Sequence, residues 1–248
     1  MVESMKYFHK NSQQTGPTSS YAVVTACIGE KFEQLAELTM PTLKAYANSI
    51  DADFVVIDEK KISVKYTMYE KYQIYDVLGE YDRIIYVDLD IIIRNDCPNL
   101  FDIVPDSKLG LFDEGRFMQC ADIIYEAMKI HNINCPEWHE QSYNAGLIVA
   151  SKQHRNLFVK PKIEVKMYGP YPHYDQPHLT LKILTEGYEV FELDCRFNRM
   201  QVVDSHIKDS PLNAYIVHFA GLSNNLHFFD IVKSAIDIWK RNGMIYAS

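Results

Sequence analysis

The sequence predicts an α/β fold with a mostly parallel central sheet flanked by helices. Two observations carry that expectation. From residue 21 to residue 93, short β-rich apolar runs alternate with longer stretches of helical spacing, the order that builds a parallel sheet with crossover helices. The chain is also large enough to bury a sizeable core, with 248 residues, 47% of them hydrophobic and 23% charged.

Residues 1–20 are polar, with Gly, Pro and Ser near their end. They read as a loose tail ahead of one compact domain over 21–248. "YAVVTAC" is the first strand. In "FEQLAELTMPTLKAYANSI", Phe32, Leu35, Leu38, Leu43 and Tyr46 recur at helical spacing, and Pro41 is expected to kink or split that helix. "ADFVVIDE" is the second strand. "YTMYEKYQIYDVLGEY" returns to helix, with Met68, Tyr72, Tyr75 and Leu78 on one side. "DRIIYVDLDIII" reads as a third strand that runs through two aspartates. "LGLFDE" is a short strand, "QCADIIYEAMKIHN" a helix, and "SYNAGLIVAS" a strand entered through a small-residue turn. "YDQPHLTLKILTEG" opens a helix with Asp175 as its expected N-cap, Pro177 in the first turn and Gly187 as the stop. "YEVFELD" and "AYIVHFAG" are strands. The closing helix "HFFDIVKSAIDIWKRNG" puts Phe228, Ile231, Val232, Ala235, Ile236 and Trp239 on one face and ends at Gly243.

The net charge of -8 and the lack of a Lys/Arg block argue against a nucleic-acid groove. No apolar run is long enough to span a membrane, and the N-terminus lacks a signal-peptide core, so a cytoplasmic protein is expected. The five cysteines are scattered without a C-x-x-C pair, which implies neither a disulfide framework nor a zinc knuckle.

Chemistry concentrates at Asp88 and Asp90, set in the apolar run "YVDLDIII". Side chains two apart on a strand share a face. Two carboxylates roughly 6 Å apart repel by about 3 kcal/mol at an effective dielectric near 20. A divalent cation between them turns repulsion into attraction, and ligands of open α/β sheets bind beyond the carboxyl ends of strands. The plainer alternative is that both acids face water as the strand ends.

This stretch resembles the metal-binding D-x-D of GT-A-fold glycosyltransferases. "YAVVTACIG" looks like their opening nucleotide-binding strand, and Lys71 stands where the retaining glycogenin-like and galactosyltransferase-like families place a donor-binding lysine. "SYNAGLIVAS" resembles their F-N-A-G strand, "YDQPHLT" their D-Q helix start, and "VHFAG" the late H-F-x-G that supplies a metal-ligand histidine. The elements occur in the family's order over about residues 21 to 225. The resemblance implies a GT-A (Rossmann-like) fold with a smaller antiparallel β region. It also implies transfer of a sugar from a nucleotide-diphosphate sugar, UDP-sugar favoured, to a glycan or other hydroxyl acceptor, with retention. One departure stands out. Glycogenin-like members follow H-F-x-G with a Lys-Pro-Trp stretch whose lysine holds the diphosphate, whereas here "HFAGLSNN" has no lysine. The form is closer to the plant and fungal galactosyl- and xylosyltransferase type.

Carried over residue by residue, the resemblance makes Asp88, Asp90 and His218 metal ligands, for Mn²⁺ with Mg²⁺ as the alternative. The bland alternative for His218 is a hydrogen-bonded core histidine. Donor contacts fall to Thr25, Ala26 and Cys27 at the base and ribose, and to Lys71, Asp88 and Asp113. Asn144, Ala145 and Gly146 approach the sugar, and Gly221 and Asn224 complete the set. Asp175 and Gln176 are the catalytic candidates, beside the reacting carbon. Residues 114–143 are the expected acceptor wall. Two other classes remain open. A nucleotidyltransferase would share the α/β start but usually carries a Gly-rich phosphate loop, which "TACIGEKF" matches poorly. A catalytically silent sugar-nucleotide-binding protein would tolerate loss of the acids, yet all are present.

Overall fold

The structure is a computed structural model that describes residues 17–136, 138–168, 173–222 and 225–245. β1 (Tyr21–Ala26) leads through α1 (Glu30–Ser49) to β2 (Asp53–Ile57). A 3-10 segment (Thr67–Gln73) and α2 (Ile74–Glu80) follow, then β3 (Arg83–Val87) and β4 (Ile91–Ile93). Next come α3 (Leu100–Ile103), β5 (Leu109–Leu111), α4 (Ala121–His131), β6 (Leu147–Ser151) and α5 (Gln176–Thr185). β7 (Val190–Glu192), β8 (Arg199–Met200), β9 (Ile216–His218) and α6 (Phe228–Arg241) complete the chain. Of the expected tail, residues 1–16 lie outside the described residues. At its end, the backbone N–H groups of Thr18 and Ser19 donate to Asp53 Oδ2 on β2, at 2.8 and 3.3 Å.

The main sheet has six strands in the order β2-β1-β3-β6-β5-β7. β2, β1 and β3 are mutually parallel, as are β5 and β7, while β6 runs antiparallel to both its neighbours, β3 and β5. β3 and β6 are central, and every residue of each is buried. That is why "RIIYV" and "LIVAS" read as continuous apolar runs rather than alternating ones. Alternate residues still divide between two cores. Ile84, Tyr86, Ile148 and Ala150 pack with Leu78 and Leu179 on one face. Ile85, Val87, Leu147 and Val149 pack with Leu43, Tyr46 and Leu100 on the other. The only charged member, Arg83, donates from Nη1 and Nη2 to the carbonyls of Phe101 and Val104 at 2.8 and 2.7 Å and pairs with Asp106 at 2.7 Å, while its buried Nε has no hydrogen-bond partner among the described residues.

Three sequence expectations change. The third strand is two strands in two sheets. β3 ends at Val87, and β4 joins a second, three-stranded sheet of order β4-β9-β8, paired antiparallel to β9. The crossing is visible in the hydrogen bonds. Asp88 N donates to Gly146 O of the main sheet at 2.7 Å, whereas Asp90 O already accepts from Phe219 N at 2.9 Å. Leu89, buried between the acids, anchors the crossing in a third core with Cys27, Leu35 and Trp239. The second change is in α1, which runs unbroken through Pro41. The carbonyl left without an N–H partner is that of Glu37, an exposed residue, so water can satisfy it. Third, the stretch after Tyr66 is a 3-10 helix before it becomes α2. Among the described residues, no helix is long and apolar enough to cross a membrane.

Candidate active site

Asp88 and Asp90 sit in the turn between the two sheets, and their placement follows from the crossing just described. His218, remote in sequence, is brought to them by strand register: it ends β9 directly opposite Ile91 of β4. Its Nε2 lies 3.4 Å from Asp90 Oδ1. One ligand atom from each of Asp88, Asp90 and His218 lies within 4.8 Å of the other two. Burial disfavours charge on both Asp90 and His218, but each stabilises the charged form of the other, so the Asp90 carboxyl is held below its usual range and His218 above.

Lys71 ties this turn to the opposite wall. It is buried in the 3-10 segment, and its ammonium donates to Ala145 O at 2.9 Å and lies 3.3 Å from both Asp88 Oδ1 and Asp175 Oδ2. Burial alone would depress its pKa, but Asp175 and Asp88 outweigh that and raise it. Asp88 Oδ1 also accepts from Tyr86 OH at 2.7 Å. Both contacts fall on the same oxygen, which orients the carboxylate.

The antiparallel direction of β6 delivers the small-residue turn. Val87, the last residue of β3, pairs with Leu147, the first of β6. Asn144, Ala145 and Gly146 therefore arrive beside the acids. Gly146 is a glycine for a reason the sequence does not suggest. A Cβ there would stand 2.2 Å from His218 Cε1, so the Cε1 corner of the imidazole occupies the space that a side chain would take.

Asp175 occupies the expected N-cap position of α5, but its side chain makes no capping bond; the carboxylate turns to Lys71. Burial raises its pKa, against the pull of Lys71. The preceding residue, Tyr174, holds a left-handed φ of 45°, a conformation that costs of order 1 kcal/mol and clusters at functional sites. The neighbouring Gln176 donates from Nε2 to the buried Glu114 Oε1 at 2.5 Å and accepts from Ala145 N at 3.3 Å.

These groups face one cavity of about 690 Å³. Asp88, Asp90, Lys71 and His218 line one part; Asn144, Ala145, Gly146, Asp175 and Gln176 line another; Ala26 and Gly221 are also on its wall. Gly221 needs to be glycine, with φ +75°. Thr25 and Cys27, on either side of Ala26, do not line the cavity; burial pushes the Cys27 thiol up to about 11. Asp113 does not line it either. Its Oδ1 accepts from Gly115 N at 3.0 Å and Ser142 N at 2.9 Å. The adjacent Glu114 faces the cavity instead, and burial raises its pKa. Asn224 lies outside the described residues. Sequence reading missed Glu114, Tyr86 and Asn198. "LFDE" signals Glu114 only if one knows which of two adjacent acids turns inward, and nothing in "CRFNRM" singles out Asn198.

A search of curated protein sequences gives no match. Among solved structures the chain resembles a glycosyltransferase involved in glycosylation of the major capsid of PBCV-1. The TM-score is 0.54 at 10% identity, covering 88% of this chain and 98% of that one. It also resembles the galactosyltransferase LgtC in complex with donor and acceptor sugar analogues, with TM-score 0.50 at 16% identity, covering 86% of this chain and 95% of that one. The bifunctional glycosyltransferase WbbM matches with TM-score 0.51 at 14% identity, over 90% of this chain and 52% of that one. At such low identity these likenesses show the fold, which is GT-A. The sequence profile of Glycosyl transferase family 8 matches residues 7–224. The chain therefore belongs to Glycosyl transferase family 8 and is a GT-A glycosyltransferase.

Proposed function

We propose that this glycosyltransferase is metal-dependent and moves a sugar from a UDP-sugar to a hydroxyl of a glycan or other acceptor, with retention of anomeric configuration. The observation that carries the reading is the convergence of Asp88, Asp90 and His218 on the cavity that also holds the Lys71–Asp175 pair and Gln176. The three ligand candidates fit a divalent cation. They offer two carboxylates and one imidazole, and their ligand atoms lie within 4.8 Å of one another. That is close to the span of about 4.2–4.6 Å expected for opposed ligands at 2.1–2.3 Å. The charge balance favours a cation too: four acids, Asp88, Asp90, Asp175 and Glu114, face a cavity lined by two lysines, Lys71 and Lys166, of which Lys71 already pairs with Asp88 and Asp175. An O,O,N set suits Mn²⁺, with Mg²⁺ as the alternative. When bound, the ion would neutralise charge on the leaving diphosphate as a Lewis acid.

The chain's own residues supply the rest. Tyr86 and Lys71 orient Asp88 through Oδ1. Glu114 orients the Gln176 carboxamide by accepting from its Nε2, so that Oε1 is the end directed towards Ala145. That oxygen and the Asp175 carboxylate stabilise positive charge developing at the anomeric carbon, an interaction that grows in the transition state. Ala145, Gly146 and Gly221 leave room for the donor, and Ala26 offers a small wall for its nucleoside. With no lysine after "HFAG", backbone amides near Gly221 meet the phosphates.

The test is UDP-sugar turnover after EDTA treatment, with Mn²⁺ or Mg²⁺ restored, on wild type and Asp90→Asn. Activity should return with metal in wild type but not in the variant, and the product anomer should match the donor. Full turnover in EDTA overturns metal dependence. An inverted product overturns the roles given to Asp175 and Gln176. Pyrophosphate as product would mark a nucleotidyltransferase instead.

A further inference from the structure

We propose that Asn198 is a positioning residue that holds a proton on His218 Nδ1, so that Nε2, the nitrogen beside Asp90, is the one free to ligate a cation in the cavity. The metal consequence rests on the reading above; the tautomer itself does not.

The deduction starts from a group whose role is beyond choice. The backbone N–H of Gly146 can only donate, and it lies 3.0 Å from one amide atom of Asn144. That atom is therefore Oδ1. The other, Nδ2, lies 3.0 Å from Glu114 Oε2, which agrees with its being the NH₂. The Asn144 oxygen in turn lies 3.0 Å from an amide atom of Asn198, which must be the donor, Nδ2. Asn198 then presents its oxygen to His218 Nδ1 at 2.9 Å. An amide oxygen only accepts, so Nδ1 carries the hydrogen. In the neutral ring the proton-free nitrogen is Nε2, the one 3.4 Å from Asp90 Oδ1.

Two features make this more than a packing contact. Asn198 is 0% exposed, Asn144 5% and His218 4%, so a polar atom left without its partner among them is costly. Strand pairing also holds the geometry. Asn198 immediately precedes β8, whose Met200 pairs with His218 in parallel register. A ligating histidine usually has its second nitrogen held in this way, and loss of the holding group costs about 10–100-fold in metal affinity.

The experiment uses full-length, metal-free protein with ¹⁵N-labelled histidine, at a pH that leaves the ring neutral. Long-range proton–nitrogen NMR reads which nitrogen of His218 is protonated, with the signal assigned by comparison with His218→Gln. Mn²⁺ affinity is measured separately by calorimetry on wild type, Asn198→Leu, Asn198→Asp and His218→Gln. Wild type should show Nδ1–H. Asn198→Leu, which removes the acceptor, should populate Nε2–H and bind Mn²⁺ about 10–100-fold more weakly. Asn198→Asp, which keeps an acceptor oxygen, should retain Nδ1–H and most of the affinity. Nε2–H in wild type overturns the proposal without any variant having to fold. Wild-type tautomer and affinity in Asn198→Leu overturn it as well. Equal Mn²⁺ affinity of wild type and His218→Gln overturns the metal site and the metal consequence, while the NMR spectrum decides the tautomer on its own.

Discussion

Replacing Gly146 with alanine would place a methyl carbon 2.2 Å from His218 Cε1, 2.8 Å from Nε2 and 3.0 Å from Nδ1. Carbon atoms normally approach to about 3.5–4.0 Å, so the ring must retreat by about 1.3 Å or more. It has little room. His218 is buried, and its Nδ1 is held to Asn198 at 2.9 Å. Overpacking of this kind costs about 1–3 kcal/mol, and a broken buried hydrogen bond adds about 1 kcal/mol. Gly146→Ala should therefore destabilise the fold by roughly 2–4 kcal/mol. Because a displacement of an ångström exceeds the tolerance of about 0.2 Å on a metal–ligand distance, Mn²⁺ affinity should fall as well. Urea unfolding and calorimetric Mn²⁺ titration measure the two effects. A double-mutant cycle isolates the cause. In a His218→Ala background the clash partner is gone, so Gly146→Ala should cost at least about 1.5 kcal/mol less than in wild type. Additive free energies, or unchanged Mn²⁺ affinity in folded Gly146→Ala, would refute the argument that the glycine exists to admit the imidazole.

Two further outcomes are expected. Asp175→Asn and Gln176→Ala should each lower turnover far more than donor affinity, since their proposed contacts strengthen in the transition state; steady-state kinetics beside a donor-binding titration separates the two, and lost affinity with intact turnover would make them binding residues. His178 should make stability pH-dependent: burial, then the charges of His131 and Lys182, push it down to about 3, its ring packs 4.6 Å from His131, and its Nδ1 meets Tyr72 OH at 3.2 Å. A depressed histidine stabilises the fold fully above its unfolded pKa of about 6.5 and loses that contribution as pH falls towards 3, about 2 kcal/mol of it by pH 5. His178→Gln should remove that share of the pH 7 to pH 5 change in unfolding free energy, and an unchanged slope would show that the ring protonates without penalty.

The parts of this molecule legible in its sequence are those set by short-range pattern. "RIIYV" and "LIVAS" read as buried strands because each is apolar on both faces, and α6 because Phe228, Val232, Ile236 and Trp239 repeat at helical spacing and are all buried. Asp88 and Asp90 stood out for the same reason: charge inside an apolar run needs a cause. What that run hid was its break. Leu89 continues the apolar pattern, so nothing local says that it belongs to a third core and that the chain changes sheets around it. Partner choice was equally hidden. Asp175 looked like a helix cap because Asp commonly caps helices, yet Lys71 lies across the fold and takes its carboxylate. Asp113 and Glu114 are adjacent acids, and only the hydrogen bonds of Gly115 and Ser142 to Asp113 decide that Glu114 is the one turned inward.

The remaining hidden information reduces to one topological fact, the reversed direction of β6. Had β6 run parallel to β3, its C-terminal end, Ser151, would lie by the acids, and Asn144–Gly146 would lie at the far end of the sheet. Antiparallel pairing of Val87 with Leu147 instead sets the turn before β6 against the turn after β3. Several features of the site follow from that contact. Ala145 offers its carbonyl to Lys71, which then spans Asp88 and Asp175. Gly146 yields its side-chain volume to His218, and its N–H fixes the amide of Asn144, which fixes Asn198, which fixes the imidazole. Strand direction is set by long-range pairing, and no window of sequence around residues 142–151 contains it. A substitution that weakens the β3–β6 junction should therefore disturb the Lys71 bridge and the His218 tautomer together, although neither residue lies on those strands.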